Sequence, residues 1–296
     1  MIELPDEKWT PQVTVLGLGD LGVRVLLKLR EKQREGMKLC AIVSDKTQLE
    51  GHEDLFSVAY VGDACLMEQQ SELYQLIRKS AMFLIVADTS DLFSARAVSA
   101  IASEKQDMVS FALLMTADDN QEQSDYINRT RAIYMTPKVL RRQCELQTGL
   151  FEDEFDVLAE TALEMATMPF HNLIGFDGAD MREALSRPGK MTAVFGQGNT
   201  VEDAVDNLLM TAEKVGVDLR QCELAVFSMS GAPDRLSVYD VNEGPELLAK
   251  KIGREMDAFC GAHVTLLSAP LDESLGDKLK IFAVFCKGSE ENHHDQ

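Results

Sequence analysis

The sequence lacks the patterns that mark metal-binding, secreted and membrane-spanning proteins. Its six cysteines include no pair separated by only two residues, and no histidine lies at zinc-finger spacing. No apolar run approaches the length of about 18 residues that a membrane-spanning helix needs. The first twelve residues are acidic and polar, unlike a signal peptide. We therefore expect a cytoplasmic protein with reduced thiols, without a metal site and without direct membrane binding.

Basic residues are also in short supply. The 296-residue chain has 29 lysines and arginines against 49 aspartates and glutamates, which gives a formal net charge of -20. A polyanionic surface repels the phosphates of nucleic acids, so we expect no nucleic-acid partner. The hydrophobic fraction of 45% is ordinary for a globular protein.

The first half of the chain alternates apolar segments with amphipathic ones. Strands are predicted over 12–18, 38–44, 82–88 and 108–116, and helices over 20–33, 71–81 and 92–105. Strands that are apolar throughout are typical of a parallel sheet with helices on both faces. We predict an α/β protein whose residues 1–150 form a Rossmann-like domain.

A long helix and a second group of strands follow. An apolar stripe at helical spacing runs through residues 152–168 and ends before Pro169, so we assign 151–180 to a central helix and the loop behind it. Further strands are predicted over 191–198, 223–231, 263–270 and 278–288, and helices over 201–215 and 244–259. This pattern predicts a smaller α/β C-terminal domain over 181–288 and a disordered tail over 289–296.

A glycine turn joins the first strand to the first helix. Gly17, Gly19 and Gly22 follow the spacing G-x-G-x-x-G, which lets backbone N–H groups approach a phosphate at a helix N-terminus. Asp45 ends the next strand, where a carboxylate can bind ribose hydroxyls. Alternatively, the turn serves chain packing alone. Asp20 within the turn, and two acids with no glycine in residues 88–94, oppose phosphate binding.

Several short motifs resemble the FtsZ/tubulin superfamily, and the resemblance covers about residues 12–288. VTVLGLGDLGVRVLLKL resembles the first strand and glycine loop of FtsZ, and GFDGADMR resembles the loop after its central helix. MTAVFGQGNTVEDAVDNLL resembles the strand, glycines and helix that come next. The resemblance implies a Rossmann-like domain, a central helix, a smaller C-terminal domain and subunits that stack head to tail.

The same resemblance suggests functional residues and a damaged nucleotide site. The two loop carboxylates that reach the GTP of a neighbouring FtsZ subunit correspond to Asp177 and Asp180. The glycine-rich signature loop of the family corresponds to residues 88–94, which contain no glycine. Its Asn-Asp-Lys loop corresponds to residues 136–138 (Thr-Pro-Lys), and its guanine-reading Asn falls near Phe155. We expect no bound cofactor, or at most weak binding of GTP or GDP with Mg²⁺.

The function predicted from the resemblance is that of a non-hydrolysing, FtsZ-like protein. We expect it to be cytoskeletal or associated with cell division, and to stack head to tail on itself or on an FtsZ-type protein, either assembling or capping and regulating filaments. Two alternatives stay open. One is a residual GTPase, and the other is a dinucleotide-dependent enzyme that uses Gly17, Gly19, Gly22 and Asp45, with His171 as its candidate catalytic base.

Overall fold

Ten strands form one twisted sheet in the computed structural model, which describes residues 13–32, 36–52, 58–61, 75, 79–80, 82–104, 109–116, 132–168, 178–185, 190–261 and 263–287. The strands are Val13–Leu18 (β1), Met37–Val43 (β2), Val58–Val61 (β3), Met82–Asp88 (β4), Val109–Met115 (β5), Ala132–Met135 (β6), Met191–Gly198 (β7), Cys222–Ser230 (β8), Leu266–Ser268 (β9) and Leu279–Lys287 (β10). Their order across the sheet is β3-β2-β1-β4-β5-β6-β7-β10-β8-β9. Neighbouring strands are parallel except around β10, which runs antiparallel to both β7 and β8.

The described residues also form eight α-helices. These are Gly19–Glu31 (α1), Leu92–Glu104 (α2), Pro137–Leu146 (α3), Glu154–Thr167 (α4), Gly178–Leu185 (α5), Val201–Val215 (α6), Val238–Ile252 (α7) and Met256–Cys260 (α8). None of the helices in the described part of the chain is long and apolar enough to cross a membrane.

The first six strands form a parallel sheet that is covered on both faces, as the apolar strands predicted. Alternate residues of β1 point to opposite faces. Val13 and Val15 share an apolar cluster with α1 and α4, whereas Leu16 and Leu18 share another with α2. All six residues of β1 are buried, because β2 and β4 flank it in the sheet and helices cover both of its faces. The α/β fold class is therefore confirmed.

The central helix α4 packs on both halves of the sheet. Asp153 begins it with a capping box, accepting from the N–H of Asp156 at 3.0 Å. Leu158 in α4 belongs to the same buried cluster as Phe195 in β7 and Phe282 in β10, whose rings lie 5.1 Å apart. The predicted long helix is thus confirmed, and it contacts strands from each half.

Several elements differ from the sequence-based prediction. The strands β3 and β6, which have only four residues each, were not predicted, and neither were the helices α3 and α5. The prediction of one helix over 244–259 was wrong. The helix α7 begins six residues earlier, where Ser237 caps it, and it ends at Gly253, which has a left-handed φ of 71°. Of the helix predicted over 71–81, only residues 75 and 79–80 are described, and the first two of these are helical.

Candidate functional site

The order of the strands points to the carboxyl edge of β1 and β4 as the place to look for a site. The chain builds the sheet outward through β1, β2 and β3 in one direction, and then through β4, β5 and β6 in the other. The order therefore reverses between β1 and β4. In open α/β sheets the loops that leave the strands at such a reversal diverge and form a crevice in which ligands bind.

The glycine turn after β1 lies at this edge, and the structure brings its three predicted glycines together. A Cβ built on Gly17 would lie 2.6 Å from the carbonyl oxygen of Gly22, and one built on Gly22 would lie 2.4 Å from the carbonyl carbon of Gly17. Both positions therefore need glycine for the close packing of α1 on β1. Gly19 has a φ of 64°, which glycine adopts without strain.

The aspartates of the loop after β4 accept hydrogen bonds from neighbouring residues of the same segment. Asp91 Oδ2 accepts hydrogen bonds from the backbone N–H of Ser94 at 3.0 Å and from Ser94 Oγ at 2.6 Å, so that it caps α2. Asp88 Oδ1 accepts from the N–H and the hydroxyl of Ser90 at 2.8 and 2.6 Å. Burial alone would raise the pKa of Asp91, but the hydrogen bonds from Ser94 and Phe93 outweigh burial and lower it.

Asp91 and Ser94 form the wall that faces the glycine turn. A Cβ built on Gly19 would lie 2.7 Å from Ser94 Oγ and 3.2 Å from Asp91 Oδ2. A phosphate placed between Gly19 and the N-terminus of α2 would have to displace the Asp91 carboxylate from the amides that it already caps. On this side of the crevice, the chain's own carboxylate therefore already caps the N-terminus of α2.

The two acids on the neighbouring elements are exposed. Asp45 follows β2 and caps a short 3₁₀ helix, Lys46–Leu49, by accepting from the N–H of Thr47 at 2.9 Å. This backbone hydrogen bond lowers the pKa of Asp45. Asp20 lies in the first turn of α1, and its carboxylate is 3.9 Å from the guanidinium of Arg24. Asp45 thus caps a 3₁₀ helix. Its predicted binding to ribose hydroxyls stays a prediction.

A second crevice of about 600 Å³ lies between α1, α3 and the N-terminus of α4. The guanidinium of Arg24 is 3.9 Å from the centre of the Phe155 ring, in a cation–π contact. Sequence reasoning placed Phe155 near a base-reading position but missed Arg24. Residues 136–138 do not line this crevice. Thr136 caps α3 by accepting from the N–H of Val139 at 3.3 Å.

The predicted loop carboxylates are only partly described. Asp177 lies outside the described residues, as does the candidate base His171. Asp180 is half-buried in the first turn of α5, where a carboxylate also stabilises the helix dipole. In the part of the chain that the structure describes, no group of three histidine, cysteine or acidic side chains is arranged to hold a metal ion.

Comparison with known proteins shows the fold of the chain. No family model and no curated protein matches the sequence. Solved structures do match. An empty FtsZ dimer from M. jannaschii superposes with a TM-score of 0.71 at 16% identity, covering 95% of this chain and 89% of that one. A GTPγS-bound protofilament of CetZ2 from Haloferax volcanii gives 0.60 at 14% identity, covering 95% and 94%. GDP-form protofilaments of TubZ from Bacillus thuringiensis serovar israelensis give 0.59 at 10%, covering 94% and 86%.

These similarities extend over nearly the whole length of each chain. The chain therefore has the FtsZ/tubulin-like fold, as its short motifs predicted. The identities of 10–16% show a shared fold, and they do not transfer an activity.

Proposed function

We propose that this protein works by assembling with copies of itself or with an FtsZ-type protein, head to tail, and that it does so without hydrolysing GTP. The fold supports assembly, since its structural neighbours include a dimer and protofilaments. The Asp91 carboxylate, which caps α2 opposite Gly19, supports the absence of GTP hydrolysis. On this proposal the protein is a cytoskeletal or cell-division-associated component that extends, caps or regulates a filament.

One observation carries the proposal. Asp91 and Ser94 fill the space opposite Gly19, and the Asp91 carboxylate caps α2. An anion is favoured at a helix N-terminus, and here the chain supplies that anion itself. A bound triphosphate would meet the charge of Asp91 at close range with Asp88 in the same loop, which opposes binding.

Equilibrium dialysis with labelled GTP and Mg²⁺ tests the role of the loop. We expect no saturable micromolar binding by the wild-type protein and a gain of binding by Asp91→Ala, because that change removes the competing carboxylate. Asp240→Ala is the matched control, since Asp240 belongs to the capping box of α7, outside the crevice. Micromolar GTP binding by the wild type would contradict the proposal, and unchanged binding by Asp91→Ala would contradict the role of Asp91.

Sedimentation velocity tests assembly itself. We expect the protein to associate to the same extent with and without GTP, alone or mixed with an FtsZ-type protein, and to release no phosphate. Asp177→Ala and Asp180→Ala should weaken this association if the loop docks on a neighbour, whereas Asp203→Ala, which removes a first-turn carboxylate from α6, should not. Association that requires GTP would favour a residual GTPase instead.

A residual nucleotide-binding function is the second candidate, and the crevice beside Arg24 and Phe155 favours it. Its volume of about 600 Å³ and its aromatic wall suit a planar base. This candidate predicts that Phe155→Ala abolishes any GTP binding found by dialysis. Labelled NAD in the same dialysis tests the dinucleotide alternative, which predicts binding that Asp45→Ala weakens.

A further inference from the structure

A separate cleft of about 450 Å³ lies on the face of the sheet opposite α4. Its floor is a row of side chains from neighbouring strands. The strand register places Thr192 of β7 beside Phe285 of β10, and Tyr134 of β6 also lines the floor. Tyr134 and Phe285 belong to apolar clusters other than the one that contains α4. The cleft therefore crosses the junction between the two halves of the sheet and is distinct from the crevice at β1 and β4.

Four lysines surround this cleft in a chain that is otherwise strongly acidic. They are Lys138 at the start of α3, Lys190 before β7, Lys214 at the end of α6 and Lys287 at the end of β10. Two acids, Glu213 and Asp218, also line it, so the lysines that line the cleft outnumber the acids by two. A concave surface with a surplus of one sign concentrates ions of the other sign.

Three of these lysines lack the partners that other lysines of the protein have. Among the described residues, no carboxylate lies within ion-pair distance of Lys138, Lys214 or Lys287. Elsewhere carboxylates do pair with lysines, at Lys28, Lys32, Lys251 and Lys280. The backbone N–H of Lys287 donates to the carbonyl oxygen of Lys190 at 3.0 Å, which fixes two of the four lysines side by side. Lysines that line one cavity without carboxylate partners repel each other, and an anion between them removes that repulsion.

We propose that this cleft binds a small anion with two or more negative charges, through phosphate or carboxylate oxygens. Lysine ammonium groups on long stems bind such oxygens as point charges and tolerate several ligand shapes. Because two acids also line the cleft, a ligand with several negative charges gains more from the lysines there than a monoanion does. One of these acids, Asp218, accepts from the N–H of Arg220 at 3.1 Å within its own turn. This site goes beyond the proposed assembly function and shares no lining residue with the crevice beside Arg24 and Phe155.

Isothermal titration with sodium pyrophosphate at low ionic strength tests the site on the full chain. We expect one site per chain and a loss of affinity of about tenfold or more in the double variant Lys138→Met/Lys214→Met. The matched control is Lys46→Met/Lys250→Met, which removes two exposed lysines that do not line the cleft. The control should bind within about twofold of the wild type, because surface charges at a distance are screened. Equal urea midpoints for all three proteins would show that folding is unaffected.

The sequence after Lys287 offers a second source of the same chemistry, since it contains Glu290, Glu291 and Asp295. A variant with these three residues changed to Gln, Gln and Asn separates the two sources. Tighter pyrophosphate binding by this variant would show that the chain's own carboxylates compete for the cleft, and unchanged binding would identify free anions as the ligand. The absence of pyrophosphate binding in both the wild type and this variant would overturn the proposal, as would equal affinities of the double variant and its control.

Discussion

A group of buried charges lies where α4 crosses the sheet. Lys280 of β10 is 3% exposed and pairs with Glu160 and with Glu164, the latter at 2.7 Å. Lys32, next to the end of α1, reaches Glu160 at 2.7 Å, and Ser228 donates to Glu164 at 2.9 Å. Glu160, Glu164 and Lys280 are buried, and the exposed Lys32 supplies the second positive charge, so that two negative and two positive charges balance. Each carboxylate accepts from at least two donors. Such a network is tolerated in an interior because every member is paired.

This network predicts a specific dependence of stability on pH. Burial alone would raise the pKa of Glu160, but Lys280 and Lys32 outweigh burial and lower the pKa to about 2. A carboxyl whose pKa is lower in the folded state stabilises the fold above its unfolded pKa and loses that contribution as the pH falls. We expect the free energy of unfolding to fall by about 3 kcal/mol from this group between pH 5 and pH 2.

Urea unfolding across this pH range measures the contribution. The unfolding free energy of Glu160→Gln should be lower at pH 7 and should change less steeply between pH 5 and pH 2 than that of the wild type. Glu145→Gln is the control, since Glu145 forms an exposed pair with Arg142 and should leave the slope unchanged. If the unfolding free energies of Glu160→Gln and the wild type changed in parallel with pH, the network would not lower the pKa of Glu160.

The glycines of the β1–α1 turn differ in what a side chain would cost. A Cβ on Gly22 would lie 2.4 Å from the backbone of Gly17, so we expect Gly22→Ala to destabilise the fold by about 2–3 kcal/mol. Gly149→Ala is the comparison, because Gly149 has a φ of 84° with no atom within 4 Å of an added Cβ. Backbone strain alone should lower the free energy of unfolding of Gly149→Ala by about 1 kcal/mol. Equal urea midpoints for the two variants would contradict the packing role of Gly22.

Individual elements could be predicted from the sequence wherever their signal is local. The strand β1 is apolar throughout and ends in a glycine turn, and α4 carries an apolar stripe that ends before a proline. The contact of Asp91 with the glycine turn could not be predicted, because it depends on how the loop after β4 lies against the loop after β1. The only sequence feature that indicated this contact was the absence of glycine in residues 88–94. The cation–π contact between Arg24 and Phe155 has no local signal in the sequence, since the two residues meet only when α1 and α4 lie side by side.

The helix α7 begins six residues before the predicted start at residue 244. Gly244 and Pro245 are both inside α7. Gly244 is needed there because an added Cβ would lie 2.5 Å from the Phe227 ring. The true start is the capping box of Ser237 and Asp240, a pattern that is visible in the sequence.

The Ser237 cap of α7 should contribute to the stability of the protein. The Ser237 hydroxyl accepts from the N–H of Asp240 at 3.2 Å, so Ser237→Ala leaves that first-turn N–H without its partner. We expect a loss of about 1 kcal/mol in the free energy of unfolding, measured with urea. Ser274→Ala serves as the control, because Ser274 donates to Asp272 beside a 3₁₀ helix of only three residues. A loss in Ser237→Ala no larger than in the control would show that α7 does not depend on this cap.

At the scale of the whole molecule, two halves share one sheet and one helix. The strands β6 and β7 pair at a single position, Ile133 with Met191. The helix α4 reinforces this junction, because Lys28 and Lys32 tie it to α1 on one side and Lys280 ties it to β10 on the other. The proposed anion cleft opens on the opposite face of the same junction. An anion bound there and the network under α4 would therefore act on the same boundary between the halves.

The net charge of -20 predicts how assembly responds to salt. Two copies that stack bring like charges together, and their repulsion extends over about 30 Å at 10 mM ionic strength but only about 8 Å at 150 mM. We expect self-association, measured by sedimentation velocity, to strengthen as sodium chloride rises from about 10 to 150 mM. Urea midpoints at both salt concentrations separate this effect from a change in folding. Association that weakens with salt would instead show that attraction between opposite charges dominates the interface.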